Sequence, residues 1–126
     1  YSVTLLYGTT DSKRYSTSLQ IELVAATEDG TVGHRGKVTD LLPEYIGWAD
    51  QIFACGPFAM YHGMANKYKQ ILEDKSVQIS LEVRMGCGLG ACYGCTIKTK
   101  TGPRQVCKDG PVFDLNDILW DELDCV

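Results

Sequence analysis

The sequence has no run of eighteen apolar residues, so no segment of it is predicted to span a membrane. It has no charged start followed by an apolar stretch, and nothing in it indicates a secretory signal peptide. Basic residues are in the minority, with 12 Lys and Arg against 16 Asp and Glu and a net charge of −4. Such a chain has no global electrostatic attraction to nucleic acid or anionic lipid. We therefore expect neither nucleic acid nor a membrane as a partner.

Acidic residues are absent from one long segment near the C-terminus. Residues 84–108 contain five basic residues and no acidic one, whereas residues 109–126 contain five Asp, one Glu and no basic residue. The five basic residues are Arg84, Lys98, Lys100, Arg104 and Lys108. Solvated faces explain such runs, and a negatively charged group surrounded by the basic segment explains them equally well.

Strands separated by helical stretches dominate the first two thirds of the chain. Apolar periodicity predicts strands at residues 2–7, 19–26, 51–55 and 77–83 and helices at 37–46 and 58–74. This order predicts a parallel, helix-covered sheet, and so an α/β fold for residues 1–83. Residues 84–126 are predicted to be a small C-terminal module. It contains a glycine-rich loop, a β-hairpin (96–101 and 104–107) and a short final helix capped by Asp114 or Asn116.

Six cysteines are present, and three of them fall within nine residues. The spacing is Cys87-x4-Cys92-x2-Cys95-x11-Cys107, and its first three members have the C-x4-C-x2-C spacing of plant-type [2Fe–2S] proteins. A tight loop can supply three thiolates, and the fourth must come from another segment. The glycines among the cysteines let the backbone approach closely and turn freely. The spacing therefore predicts a [2Fe–2S] cluster on these four cysteines.

Other readings of the cysteines fit the spacing less well. Structural zinc usually takes two C-x2–4-C knuckles, and only Cys92 and Cys95 form one here. Disulfide frameworks usually spread their cysteines and follow a signal peptide. Residues 86–91 fit the G-x-G-x-x-G/A dinucleotide fingerprint, but no helix is predicted after them. Cys55 and Cys125 are expected to be small buried apolar residues.

Residues 53–60, FACGPFAM, resemble the ferredoxin-reductase-like NAD(P)-binding family, whose members carry a C-G-P-x-x-M turn beside the nicotinamide. Residues 80–95, SLEVRMGCGLGACYGC, and 106–113, VCKDGPVF, closely resemble one group within it. That group comprises the electron transfer subunits of class B dihydroorotate dehydrogenase. The resemblance implies a partial NAD(P)-binding domain over residues 1–83 and a [2Fe–2S] module over 84–126.

The same resemblance implies a function and its residues. The family passes electrons between NAD(H), FAD, a [2Fe–2S] cluster and the FMN of a partner catalytic subunit that oxidises dihydroorotate in pyrimidine biosynthesis. Its cluster ligands carry over onto Cys87, Cys92, Cys95 and Cys107. Its nicotinamide-side turn carries over onto the cofactor-binding residues Cys55, Gly56 and Pro57. The expected assembly is a cytoplasmic hetero-oligomer, and no residue is assigned a catalytic role.

The chain departs from this family at its start. It begins without Met and leads directly into a strand, and the family's FAD-binding barrel and glycine-rich phosphate loop have no counterpart in it. We therefore expect a C-terminal fragment that is inactive alone, with FAD and NAD bound by the intact subunit. Two alternatives remain open. One is the reductase subunit of a hydrogenase or of a ferredoxin:NADP oxidoreductase, and the other is a zinc-stabilised docking module.

Overall fold

This computed structural model describes residues 2–14 and 21–123 of the chain. They form two compact units, Tyr1–Trp48 and Ala49–Val126. Parallel strand pairs and covering helices confirm the predicted α/β class. The predicted division into 1–83 and 84–126 stays a prediction, and strands from both sides of it pair within the second unit. No helix in the described residues is long and apolar enough to cross a membrane.

The first unit is built on a three-stranded parallel sheet in the order β1-β2-β3. Its elements are β1 Thr4–Thr9, β2 Glu22–Thr27, β3 His34–Arg35, α1 Leu42–Tyr45 and the 3-10 turns Ser12–Arg14 and Val38–Leu41. The loop after β2 is held by Thr27, which is fully buried. Its Oγ1 donates to the Val32 carbonyl at 2.9 Å and accepts the Val32 N–H at 3.1 Å. The short helical turns fall within the predicted helix at 37–46.

The second unit contains a three-stranded sheet in the order β4-β5-β8 and a separate two-stranded hairpin, β6-β7. Its elements are β4 Gln51–Cys55, α2 Phe58–Lys67, α3 Lys69–Leu72, β5 Ser76–Ser80, β6 Thr96–Thr99, β7 Gly102–Gln105, α4 Val106–Asp109, β8 Val112–Asp114 and the 3-10 turns Leu115–Asp117 and Trp120–Glu122. Strands β4 and β5 are parallel, and β8 is antiparallel to β5.

The core of this unit follows from the apolar periodicity of α2, α3 and β5. Met64 and Leu72 are buried on the inner helix face, and Val77 and Ile79 are fully buried at alternate positions of β5. Burial of each such side chain contributes about 1.5–3 kcal/mol. Trp120 lies 5.4 Å from the Phe58 ring, centroid to centroid, and so extends the core to the C-terminal segment.

Two predicted helices differ from the observed ones. The helix predicted over 58–74 is interrupted at Tyr68, whose φ of −112° ends α2 before α3 begins. The prediction of a final helix is wrong, because the C-terminal segment forms only 3-10 turns. Between these turns Ile118 is extended and forms an antiparallel bridge with Thr99. The Asp114 side chain does cap the first turn, accepting the Asn116 N–H at 2.8 Å. Burial of Ile118 against the hairpin outweighs the weak helical preference of this segment.

The Tyr61 hydroxyl joins the carboxyl ends of β4 and β5. Tyr61 is buried, and its Oη accepts the Gly56 N–H at 2.8 Å and donates to the Ser80 carbonyl at 2.7 Å. Burial is the main cause that raises the pKa of this hydroxyl, so it stays protonated and able to donate. A side chain on α2 therefore fixes the turn after β4 and the start of the segment after β5.

We predict that Tyr61→Phe lowers the free energy of unfolding by about 1–2 kcal/mol, because it leaves the Gly56 N–H and the Ser80 carbonyl without this partner. Tyr93→Phe is the matched control, since the Tyr93 ring is 71% exposed. We expect the control to change stability by less than about 0.5 kcal/mol. Urea unfolding of both variants measures the difference, and equal losses would contradict the role of the Tyr61 hydroxyl.

Candidate metal centre

The loop that carries three of the cysteines begins at the end of β5 and ends at β6. Leu81 anchors its start, since it is buried and its N–H donates to the Pro111 carbonyl at 3.0 Å. Residues 81–95 contain no helix or strand, so the dinucleotide fingerprint at 86–91 does not open a helix. The rejection of the dinucleotide fingerprint is therefore correct, and the wrapping of a cluster by this loop stays a prediction.

Backbone N–H groups converge on the sulfur of Cys87. Its Sγ accepts from Leu89, Ala91 and Cys92 at 3.4, 3.3 and 3.4 Å. Gly88 and Gly90 make this possible, because their φ angles of +68° and +79° turn the chain around the sulfur. The Leu89 N–H above all, with those of Cys92 and Ala91 and a thiol hydrogen bond from Cys92, lowers the pKa of Cys87 to about 6. The loop thus favours a thiolate here.

The Cys92 sulfur lies between two glycines and receives one backbone donor. The Gly94 N–H donates to it at 3.4 Å, and a Cβ on Gly86 would lie 3.4 Å from it. Between them Tyr93 has a φ of 58°, the single positive φ at a non-glycine residue in the part of the chain that the structure describes. Its carbonyl accepts from the Thr96 hydroxyl at 2.7 Å and N–H at 3.2 Å, which offsets the strain.

The fourth cysteine is brought to the third by the β6-β7 hairpin. Cys95 precedes β6 and Cys107 lies in α4, directly after β7. The Val106 N–H donates to the Cys95 carbonyl at 3.1 Å, and the Cys107 N–H lies 3.5 Å from the Cys95 sulfur. That N–H is the main cause that lowers the pKa of Cys95, whereas the thiol hydrogen bond to Cys95 raises the pKa of Cys107.

Thiol hydrogen bonds link Cys87 with Cys92 and Cys95 with Cys107, and the charge of Cys87 also raises the pKa of Cys107. Within residues 2–14 and 21–123, no three His, Cys, Asp or Glu side chains gather closely enough to hold one metal ion. Three cysteines in one loop and a fourth from the following helix match the ligand set of a [2Fe–2S] cluster. The backbone donors also suit sulfur ligands that carry negative charge.

Of the basic residues in 84–108, Arg84 lies in the loop itself and Lys108 packs against it. A Cβ on Gly90 would lie 3.1 Å from its Cδ, so the Lys108 stem packs on the loop. Lys98 instead pairs with Glu122 at 3.0 Å, with both side chains more than half exposed. Such an exposed pair contributes little to stability. The idea that the basic segment offsets a negative cluster stays a prediction.

The second predicted site lies at the carboxyl end of β4. Cys55 is exposed, so the expectation that it is a buried apolar residue is wrong. Its exposure follows from the alternation along β4, which leaves Gln51, Phe53 and Cys55 on the outer face. Gly56 is held by Tyr61, and Pro57 is the N-cap of α2 rather than its first helical residue. Cys125 lies outside the described residues.

Gln105 is the site residue that sequence reasoning missed. Its Nε2 donates to the Gly90 carbonyl at 2.9 Å, and its backbone N–H donates to the Asp109 Oδ2 at 2.7 Å. Only its place two residues before Cys107 could have drawn attention to it, because nothing in a cysteine spacing indicates which polar side chain supports the loop.

Comparison with known proteins assigns a family to the segment that carries these cysteines. Residues 82–119 match the family described as the iron–sulfur cluster binding domain of dihydroorotate dehydrogenase B. The chain is 41% identical over 99 residues to "Dihydroorotate dehydrogenase B (NAD(+)), electron transfer subunit" of Bacillus cereus strain B4264, across 75% of this chain and 37% of the relative. The protein of that name from Bacillus anthracis strain CDC 684 gives the same values. The chain thus spans about 37% of the length of these curated relatives.

A solved structure is similar over most of the chain. It is the NADH-dependent reduced ferredoxin-NADP oxidoreductase, described for its flavin-based electron bifurcation. The two chains are 27% identical with a TM-score of 0.67, across 82% of this chain and 37% of the other. Together with the curated relatives, this similarity confirms the resemblance drawn from residues 53–60, 80–95 and 106–113.

We predict that Gly90→Ala destabilises the protein more than Gly88→Ala. Both residues have positive φ, which costs an L side chain about 1–2 kcal/mol. At Gly88 a Cβ meets nothing within 4 Å, whereas at Gly90 it would lie 2.9 Å from the Gln105 Oε1 and so displace that side chain. Thermal unfolding of the two metal-free variants measures the difference. A Gly88→Ala loss equal to or larger than that of Gly90→Ala would contradict the packing described.

Proposed function

Because residues 82–119 match the iron–sulfur cluster binding domain of dihydroorotate dehydrogenase B, we propose that this chain holds a [2Fe–2S] cluster on Cys87, Cys92, Cys95 and Cys107 and relays electrons through it. The observation that carries the proposal is the convergence of backbone N–H donors on the sulfurs of these cysteines. The bound cluster supplies one-electron chemistry.

The chain's own residues would do three things for this group. The thiolates of Cys87, Cys92, Cys95 and Cys107 would hold the two irons. The N–H groups of Leu89, Ala91 and Gly94 donate to the sulfurs and stabilise negative charge on them. The loop keeps the site close to the surface, because Leu89 is 84% exposed beside it. A cluster site close to the protein surface suits exchange of electrons with another protein.

The proposal for the whole protein extends beyond these residues. The curated relatives are named NAD(+)-dependent dihydroorotate dehydrogenase B electron transfer subunits. We propose the same role here, with FAD and NAD(H) bound by the intact subunit and with the FMN of a dihydroorotate dehydrogenase catalytic subunit as electron partner in a hetero-oligomer. The fragment alone is proposed to be inactive. Clustered cysteines that favour metal ligation over disulfides support a cytoplasmic location.

The nicotinamide-side role of Cys55, Gly56 and Pro57 is part of the same proposal. Cys55 is exposed at the carboxyl end of a parallel strand, which is where ligands bind in open α/β sheets. The Gly56 N–H donates a hydrogen bond to the Tyr61 hydroxyl, so the turn at residues 55–57 has a defined conformation before any ligand is present.

A second candidate function is supported by the solved structure. Its description as an NADH-dependent reduced ferredoxin-NADP oxidoreductase keeps a reductase subunit of that kind, or of a hydrogenase, as an alternative. The 41% identity to the dihydroorotate dehydrogenase subunits against 27% to this structure favours the first role. The match of residues 82–119 to an iron–sulfur cluster binding domain disfavours a zinc-stabilised docking module.

Cys107→Ser is predicted to abolish or strongly reduce cluster assembly, because it removes the ligand that only α4 supplies. Iron and acid-labile sulfide analysis, with the visible spectrum, measures the loss. Cys55→Ser and Cys125→Ser are the matched controls, and both are expected to retain the content of the parent protein. Zinc without sulfide in the parent, or equal spectra for Cys107→Ser and the parent, would overturn the ligand assignment.

The full-length protein, purified with its catalytic partner, is predicted to reduce NAD with dihydroorotate as electron donor. Removal of one cluster ligand by Cys92→Ser should reduce the rate of NAD reduction to a small fraction of that of the parent protein. The catalytic partner alone should still oxidise dihydroorotate when an artificial electron acceptor is supplied. Stopped-flow and steady-state absorbance follow both reactions. Turnover with ferredoxin and NADP, and none with dihydroorotate, would instead establish the second candidate function.

A further inference from the structure

We propose that Gln105 is a positioning residue for the cluster, because its side-chain amide joins the Cys87–Cys92 half of the loop to the segment that supplies Cys107. This inference rests on the proposed function, since it concerns how the chain holds that group.

The third and fourth cysteines are tied together by backbone bonds, and the Gly90 backbone also hydrogen-bonds the Cys107 thiol. The Val106 and Cys107 N–H groups both point to Cys95, to its carbonyl and its sulfur respectively. On the other side of the site, the hydrogen bond from the Gln105 Nε2 to the Gly90 carbonyl spans 15 residues of sequence and is partly buried. It therefore adds a side-chain link between the two halves beside the contact of the Gly90 backbone with Cys107.

The backbone of Gln105 is itself firmly placed. Its N–H donates to the Asp109 carboxylate at 2.7 Å, and the next residue, Val106, is fully buried. Gln105 also ends β7, where it pairs with Thr96 across the hairpin. The side chain therefore extends from an anchored position, and the position of Gly90 is set by the length of the amide side chain.

Gly90 is the residue whose displacement would matter most to the sulfur ligands. It lies between Leu89 and Ala91, two of the three residues whose N–H groups donate to the Cys87 sulfur. A Cβ on Gly90 would lie 2.9 Å from the Gln105 Oε1, so the amide packs directly on the glycine. Hydrogen bonds to cluster sulfurs raise the reduction potential by stabilising the more negative, reduced form. Loss of the Gln105 contact should therefore weaken these donors and lower the potential.

The test compares Gln105→Leu with the parent in the full-length protein. Leu keeps the approximate size of the side chain and removes the donor, while all four cysteines stay in place. We expect the variant to bind the cluster with a midpoint potential shifted to more negative values, and to lose visible absorbance faster in the presence of an iron chelator. Gln70→Leu on α3 makes the same chemical change at an exposed position and should match the parent in both.

Redox titration followed by electron paramagnetic resonance gives the potential independently of enzyme activity. Gly90→Ala disturbs the contact between Gln105 and Gly90 from the glycine side. It provides the test if the Gln105→Leu variant does not fold. Gly88→Ala, which adds a side chain in open space, controls for the backbone strain alone. We expect Gly90→Ala to shift the potential in the same direction as Gln105→Leu, and by more than Gly88→Ala.

The outcomes separate the two proposals. Iron and sulfide in the parent, with unchanged potential and chelation rate in both Gln105→Leu and Gly90→Ala, overturn the role of Gln105 and leave the proposed function standing. A parent protein that binds no iron and sulfide after reconstitution overturns the proposed function, and the role of Gln105 with it.

Discussion

Backbone N–H groups that converge on a single sulfur impose the main constraint on the second unit. Three donors within five residues of Cys87 require the chain to reverse around its own side chain. Only positive φ at Gly88 and Gly90 permits this at low cost. The loop has no secondary structure to stabilise it, so its conformation depends on the elements at its ends.

Those ends are held by two different sheets. At the start, Leu81 continues β5, and its N–H donates to the carbonyl of Pro111. Pro111 directly precedes β8, the strand that pairs with β5. At the end, Cys95 enters the β6-β7 hairpin, which returns the chain to Cys107. A loop fixed at both ends by buried strands can keep thiols near one another before any metal is bound. This is the preorganisation that a stable metal site requires.

The Tyr61 hydroxyl gives the unit a further link. It holds the turn at Gly56 and the end of β5 at Ser80, so the proposed nicotinamide-side turn and the entrance to the cysteine loop share one side chain. The two proposed sites are therefore built on adjacent parallel strands. Such an arrangement suits a protein in which a hydride carrier and a one-electron carrier must both be positioned by one small scaffold.

The sequence by itself determined the features that depend on local spacing. The intervals between Cys87, Cys92 and Cys95 and the glycines among them indicate a wrapped metal loop, because a loop encodes its turns in nearby residues. The apolar residues at 51–55 and 77–83 predict strands for the same reason, and β4 and β5 form there. The bounds of β4, residues 51–55, were predicted without error.

Only the tertiary structure decided which distant residues meet. The exposure of Cys55 depends on which face of β4 other elements cover, and the strand β8 exists because β5 offers it three paired residues. The bond from Gln105 to Gly90 likewise needs the hairpin to bring residues fifteen apart together. Contacts of this kind carry no periodic signal in the sequence, because they are set by strand pairing and packing rather than by neighbouring residues.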